Sequence, residues 1–149
     1  MIAIGSDHGG YALKVHVIKY LQEKGLEYKD YGCFDTSSVD YPDFALPVAE
    51  AVASGEAEKG IIICGTGIGV SIVANKVKGV RAALCSDCFS AQATREHNDS
   101  NVLTFGERVL GPGLALKIVD IWLNTPFSQD PRHIRRIDKI SAVEDKYFK

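Results

Sequence analysis

The segment Ile61-Ile62-Ile63-Cys64-Gly65-Thr66-Gly67-Ile68-Gly69-Val70-Ser71 joins an apolar run to a thiol and then to a glycine-rich turn. It reads as a buried strand, a tight loop and a helix start. Backbone N–H groups in such a loop suit an anion such as a phosphate. A thiol beside the positive end of a helix is also well placed to act as a base. A phosphate cradle and a proton acceptor therefore fall within a few residues of each other. The glycines at 65, 67 and 69 do not make the dinucleotide pattern, and the lysine of a P-loop is lacking. Close helix–strand packing is the competing explanation for these glycines.

Two other segments carry reactive groups. Gly5-Ser6-Asp7-His8-Gly9-Gly10 follows the first apolar run, and Gly106-Glu107-Arg108 follows the last. With Cys64 and Thr66 they supply a carboxylate, an imidazole, a thiol, a hydroxyl and an arginine. That set needs no hydride carrier and no metal, so no cofactor is expected. Cys85-Ser86-Asp87-Cys88 has redox or metal spacing, but no second cysteine pair completes a zinc site. A thiol oxidoreductase centred on Cys85 and Cys88 stays open as an alternative, as does a non-catalytic phosphosugar- or nucleotide-binding module.

Arg132, Arg135 and Arg136 fall in the first two turns of the last helix. Cations there oppose the helix dipole by roughly 0.3–1 kcal/mol each, a penalty that an anionic ligand reverses. Arg132 and Arg136 share a face. A solvated basic surface is the plainer alternative. His97-Asn98 closes a helix that runs away from the Cys64 edge, so His97 is expected about 15 Å from Cys64 in one chain. A catalytic His97 requires a second subunit to supply it; a helix-capping histidine does not. His16 and His133 read as structural or surface residues.

The elements that must position these groups alternate between strand and helix patterns. Strands are expected at 1–5, 26–31, 59–64, 80–85 and 101–105, the second of them near an edge. Helices are expected at about 9–24, 43–55, 67–76, from an N-cap at Ser86 to His97 with Asn98 as terminator, from Gly111, and at about 131–146. Lys24-Gly25 closes the first helix, and Asp130-Pro131 opens the last with Asp as cap and Pro at the first position. The alternation predicts a Rossmann-like three-layer αβα sandwich, with a five-stranded parallel sheet and an additional C-terminal helix, in one domain over 1–149. In such a sheet, ligands bind at the C-terminal strand ends, where the three reactive segments converge.

Composition bounds the partners. The chain has 149 residues, a formal net charge of −2 and 46% hydrophobic content. No basic excess suggests a nucleic-acid partner, and no apolar run approaches a membrane span. Met1-Ile2-Ala3-Ile4-Gly5 reads as a strand rather than an export signal, so a cytoplasmic protein with reduced thiols is expected.

Several motifs occur together and in order. They are Gly5-Ser6-Asp7-His8-Gly9-Gly10, Asp40-Tyr41-Pro42, Ile63-Cys64-Gly65-Thr66-Gly67-Ile68-Gly69, Ala74-Asn75-Lys76, Gly79-Val80-Arg81-Ala82, Arg95-x-His97-Asn98-Asp99-x-Asn101-Val102 and Phe105-Gly106-x-Arg108. Over nearly its full length the chain resembles the ribose-5-phosphate isomerase B family, with galactose-6-phosphate and allose-6-phosphate isomerases as relatives. The resemblance implies cofactor-free interconversion of ribose 5-phosphate and ribulose 5-phosphate in the pentose phosphate pathway, through an enediolate. It implies Cys64 as the base, with Thr66 and His97 assisting ring opening. Asp7 and Tyr41 resemble sugar-contacting residues. The amides of Gly65, Thr66, Gly67, Ile68, Gly69, Val70 and Ser71, with Asn98, resemble the stabilisers of the enediolate. His8, Arg108, Arg132 and Arg136 resemble the phosphate-binding set. Some relatives carry a glutamate base after the glycine loop; here Val70 and Ser71 stand there. The family further implies a homodimer or homotetramer with sites between subunits. Allose 6-phosphate remains an alternative substrate.

Overall fold

Runs of β-branched and aliphatic residues form the three central strands: β1 (Ile2–Ser6), β3 (Lys59–Cys64) and β5 (Val102–Gly106), with β2 (Tyr28–Asp30) and β4 (Ala82–Leu84) outside them. The computed structural model of the chain describes residues 1–148. All pairings are parallel, and the order is β2-β1-β3-β5-β4. The second strand is at an edge, as its polar sequence leads one to expect. Cys64 lies opposite Gly106, and Ile62 opposite Thr104.

Among the described residues five helices cover the sheet, α1 (Tyr11–Glu23), α2 (Pro42–Ala53), α3 (Ile68–Ala74), α4 (Cys88–Asn98) and α5 (Pro112–Asn124), and a sixth, α6 (Pro131–Tyr147), follows them. Strand alternation sorts the core into two layers. Ile4, Ile61, Ile63, Leu103 and Phe105 pack under α1, α4 and α5 with Val17, Ala91, Ile118 and Trp122. Ala3, Ile62, Cys64 and Val102 pack under α2 and α3 with Val48, Ala49, Val70 and Ala74. Each fully buried isoleucine contributes about 2 kcal/mol relative to exposure. The αβα sandwich with an added C-terminal helix is thus the observed architecture.

Local chemistry moved several boundaries. The first helix opens with a 3-10 turn at His8–Gly10, because the Asp7 carboxylate accepts the Gly10 N–H at 3.1 Å. Pro42, at the first position of α2, starts that helix earlier than expected, and Pro47 lies inside it. Asp87, not Ser86, caps α4: its carboxylate accepts the Ser90 N–H at 2.7 Å. Asp99 in a left-handed conformation ends that helix, one residue beyond Asn98. At α6, Asp130 accepts the Arg132 N–H at 2.8 Å, with Pro131 next in sequence, as predicted.

A buried ion pair fastens the long loop that follows β2. Lys14 is 0% exposed. Its Nζ donates to Asp30 Oδ1 at 2.7 Å and to the Cys33 carbonyl. From there residues 33–41 pass to the C-terminal edge of the sheet, where the Val39 N–H meets His8. The helix α6 is different from the rest: it buries no residue, and Ile134, Ile140 and Val143 stay exposed along it. Its far end is tied by Glu144, which accepts the Gly79 N–H, and by a Lys78–Asp145 ion pair.

Candidate active site

The parallel strands bring the ends of β1, β3 and β5 to one edge, and two glycines let the segments beyond them touch. A Cβ on Gly10 would lie 2.4 Å from the Ile63 carbonyl oxygen, and one on Gly106 would lie 2.5 Å from that of Gly65. Only glycine permits both approaches. The Gly9 turn consequently rests against the backbone of Gly65.

Cys64 is the last residue of β3 and 6% exposed. Its sulfur accepts the Gly67 N–H at 3.1 Å. Gly67 has φ +80°, the left-handed region that favours glycine, and its carbonyl caps α3 through the Ser71 N–H. The Thr66 hydroxyl accepts the Ile68 N–H at 3.2 Å. The loop thus turns its own amides toward the thiol and hydroxyl. Val70 is buried in the core, whereas Ile68 is exposed; the amides, not these side chains, face the loop chemistry.

Around this loop stand four more of the expected residues. The Arg108 guanidinium lies 3.4 Å from where a Gly65 Cβ would be. The Arg108 N–H donates to the Gly65 carbonyl, and the Glu107 N–H to that of Cys64, so the turn after β5 is locked to the cysteine strand. Asp7 uses one carboxylate oxygen on the Gly10 N–H. His8 accepts the Val39 N–H on Nδ1 at 3.2 Å, so in the neutral ring Nε2 carries the proton. The Tyr41 ring sits against Gly69; a Cβ there would approach its Cε1 to 2.5 Å. Asp7, His8, Tyr41, Cys64 to Ser71 and Arg108 therefore form one cluster.

His97 and Asn98 lie at the far end of α4, and the start of α6, which carries Arg132 and Arg136, meets that end through His133. His97, the tenth residue of α4, lies about 14 Å along the helix from the edge where it begins. His97 and Asn98 are exposed there. The Arg81 guanidinium donates to the Asn98 and Asp99 carbonyls, and Arg95 pairs with Asp99 at 2.9 Å. Arg132 bonds its own cap, and that hydrogen bond holds the Asp130 carboxyl down to about 2. Arg136 is exposed one turn on.

The residue that makes this junction was read as structural. His133 packs its ring 4.5 Å from that of His97, and its Nδ1 lies 2.6 Å from the Ser128 hydroxyl. No periodicity signals that pairing, because it links α4 to α6 across the α5 connection. Among the described residues no group of three His, Cys, Asp or Glu side chains is arranged to hold a metal ion, and no helix is long and apolar enough to cross a membrane. Cys85 is 1% exposed and all four cysteines are free thiols.

Comparison with known proteins extends over almost the whole chain. The family model described as Ribose/Galactose Isomerase matches residues 2–140. A putative sugar phosphate isomerase of Bacillus subtilis is 58% identical over 146 residues, covering 97% of each chain. Ribose-5-phosphate isomerase B of Escherichia coli is 49% identical over 145 residues, again covering 97% of each. The solved structure of Clostridium thermocellum ribose-5-phosphate isomerase B superposes with a TM-score of 0.96 at 55% identity, covering 98% of both chains.

Proposed function

This chain belongs to the ribose/galactose isomerase family, and we propose that it interconverts D-ribose 5-phosphate and D-ribulose 5-phosphate, a step of the pentose phosphate pathway. It is an aldose–ketose isomerase by its kinship with the Escherichia coli and Clostridium thermocellum enzymes. The reading takes residues 1–149 as one catalytic domain that works in the cytoplasm without a cofactor.

The observation that carries the reading is the Cys64 sulfur held by the Gly67 amide, with the Arg108 guanidinium against the neighbouring Gly65. In the proposed cycle Cys64 moves a proton between C2 and C1 of the open sugar. Removing that proton puts charge on the adjacent oxygen. Preorganised N–H donors of the Gly65–Ser71 segment, with Asn98, offset that charge. Gly67, Ile68 and Ser71 already direct theirs to Cys64, Thr66 and the Gly67 carbonyl, which leaves Gly65, Thr66, Gly69 and Val70 for the sugar oxygen. One such donor is worth about 3–4 kcal/mol. Thr66 and His97 exchange protons with the ring oxygen and the anomeric hydroxyl as the furanose opens. Asp7 and Tyr41 hold the sugar hydroxyls. His8, Arg108, Arg132 and Arg136 grip the phosphate, far from the reacting carbons, and so convert binding into orientation.

Within one chain the Cys64 cluster and the junction of α4 with α6 stand at opposite edges of the sheet. The reading therefore requires a second copy to bring His97, Asn98, Arg132 and Arg136 to the first copy's Cys64. The exposed Ile140 and Val143, which share a face of α6, favour such an assembly, since apolar side chains on a helix with no buried residue gain from a partner. A homodimer suffices, and a tetramer contains the same pair.

Initial rates with ribose 5-phosphate, allose 6-phosphate and galactose 6-phosphate test the proposal, each with and without a chelator. Fastest turnover of the pentose, unchanged by the chelator, is expected. Binding of phosphosugar without turnover of any of the three would return the protein to a non-catalytic binding module.

A further inference from the structure

The sheet face beneath α2 and α3 is apolar at Ala3, Ile62, Cys64 and Val102, yet Thr104 stands on that same face and is 0% exposed. Valine has nearly the same shape and would suit that surrounding. A buried hydroxyl is tolerated only when hydrogen-bonded. Here the Thr104 Oγ1 donates to the Gly67 carbonyl at 3.0 Å. The N–H of that same Gly67 donates to the Cys64 sulfur at 3.1 Å. The other donor to the Gly67 carbonyl is the Ser71 N–H, at 3.3 Å.

Gly67 is thus gripped from both sides. Its left-handed backbone packs against the backbone of Phe105, the residue after Thr104: a Cβ there would come within 2.6 Å. Its carbonyl is tied to β5 and its amide faces β3. A peptide at a glycine in this conformation has many alternatives, since no side chain restricts it. What restricts it here is the packing against Phe105, the Ser71 N–H and, as the one side-chain group, the threonine hydroxyl.

We propose that Thr104 is a positioning residue for Cys64: its hydroxyl fixes the Gly67 backbone so that the Gly67 N–H stays aimed at the reacting sulfur. This rests on the reading of Cys64 as the base. Thr104 touches no substrate and acts only through Gly67. Its removal should leave phosphate and sugar binding intact and slow the proton transfer.

The test compares Thr104→Val, Thr104→Ala and Thr104→Ser with the unaltered protein. For Val and Ala, kcat with ribose 5-phosphate is expected to fall roughly threefold to tenfold, the value of one ordinary hydrogen bond. KM should stay within about twofold, and Thr104→Ser should restore kcat. Alkylation of Cys64 by iodoacetamide, read at that residue by peptide mass spectrometry, should change with kcat in Val and Ala and revert in Ser. A purely structural threonine would lower the melting temperature without this pattern. Thr104→Val or Thr104→Ala with unaltered kcat and unaltered Cys64 alkylation overturns the proposal, as does a Ser variant as slow as Val. If Val does not fold, Ala and Ser carry the same comparison with less steric demand. Cys64→Ala is run alongside. Should it retain full activity, the base assignment fails on its own, while the alkylation comparison still judges the link from Thr104 to the sulfur.

Discussion

The Gly67 amide and the Cys64 sulfur lie 3.1 Å apart, donor to acceptor, across a turn of three residues. The contact ties the end of β3 to the start of α3, and puts a polarised N–H on the atom assigned the proton transfer.

Cys64→Ala should lower kcat by about a thousandfold, the typical worth of a positioned general base. Cys64 is small and stands at a strand end, so the melting temperature should move little. Initial rates and a thermal melt on the same preparation check both. A variant that folds and isomerises normally would remove Cys64 from the mechanism.

Mixing Cys64→Ala and His97→Ala proteins should recover activity that neither has alone. With free exchange, half of the dimers pair one chain of each kind. Each such dimer holds one intact site in two, giving about one quarter of full activity by the symmetry of a shared interface. The measurement is the rate after mild unfolding and refolding of the mixture. Zero recovery despite proven subunit exchange argues that both residues act within one chain, whereas a His97→Ala protein that is active alone argues that His97 is not needed.

Asp30→Ala should destabilise the protein by about 3–5 kcal/mol, because it strands the buried Lys14 ammonium without its partner. Lys14→Met should cost less, since it removes the charge as well as the bond. Urea unfolding gives both values. Equal losses would mean that packing, not the ion pair, holds the loop.

Stability should decline in alkali through Cys85. Burial, with a smaller push from the Asp87 charge, raises this thiol to about 11 from an ordinary value near 9. In the unfolded chain the thiol ionises near 9, while the folded protein keeps it neutral. The contribution is therefore complete below about 9 and lost as pH rises through about 11, at most about 2–3 kcal/mol. Urea midpoints at neutral pH and at about pH 10.5 measure the drop, which Cys85→Ala should reduce. The same burial predicts that Cys88 is alkylated before Cys85 near neutral pH, the reverse of what a reactive redox pair requires.

Much of this was legible in the chain itself. The apolar run ending at Cys64, the Pro and Gly punctuation, and the Asp130-Pro131 start of α6 are local signals, and local backbone preferences decide them. The parallel sheet follows from the alternation of elements, and with it the meeting of Asp7, Cys64 and Arg108 at one edge. Strand ends were less legible: β2 and β4 are three residues each where six were expected. Edge strands pair on one side only, so their length depends on the neighbour's register and not on their own residues.

Residue order alone therefore determined which chemical groups exist, which strand each follows and toward which edge each points, because those properties pass along the covalent backbone. It also implied that His97 lies a helix length from Cys64. Contacts between distant segments were decided only by tertiary packing: Thr104 on Gly67, Tyr41 on Gly69, His133 on His97, and Lys14 beneath the Cys33 carbonyl. Each depends on how two faces meet at side-chain resolution, and no spacing within either segment encodes that.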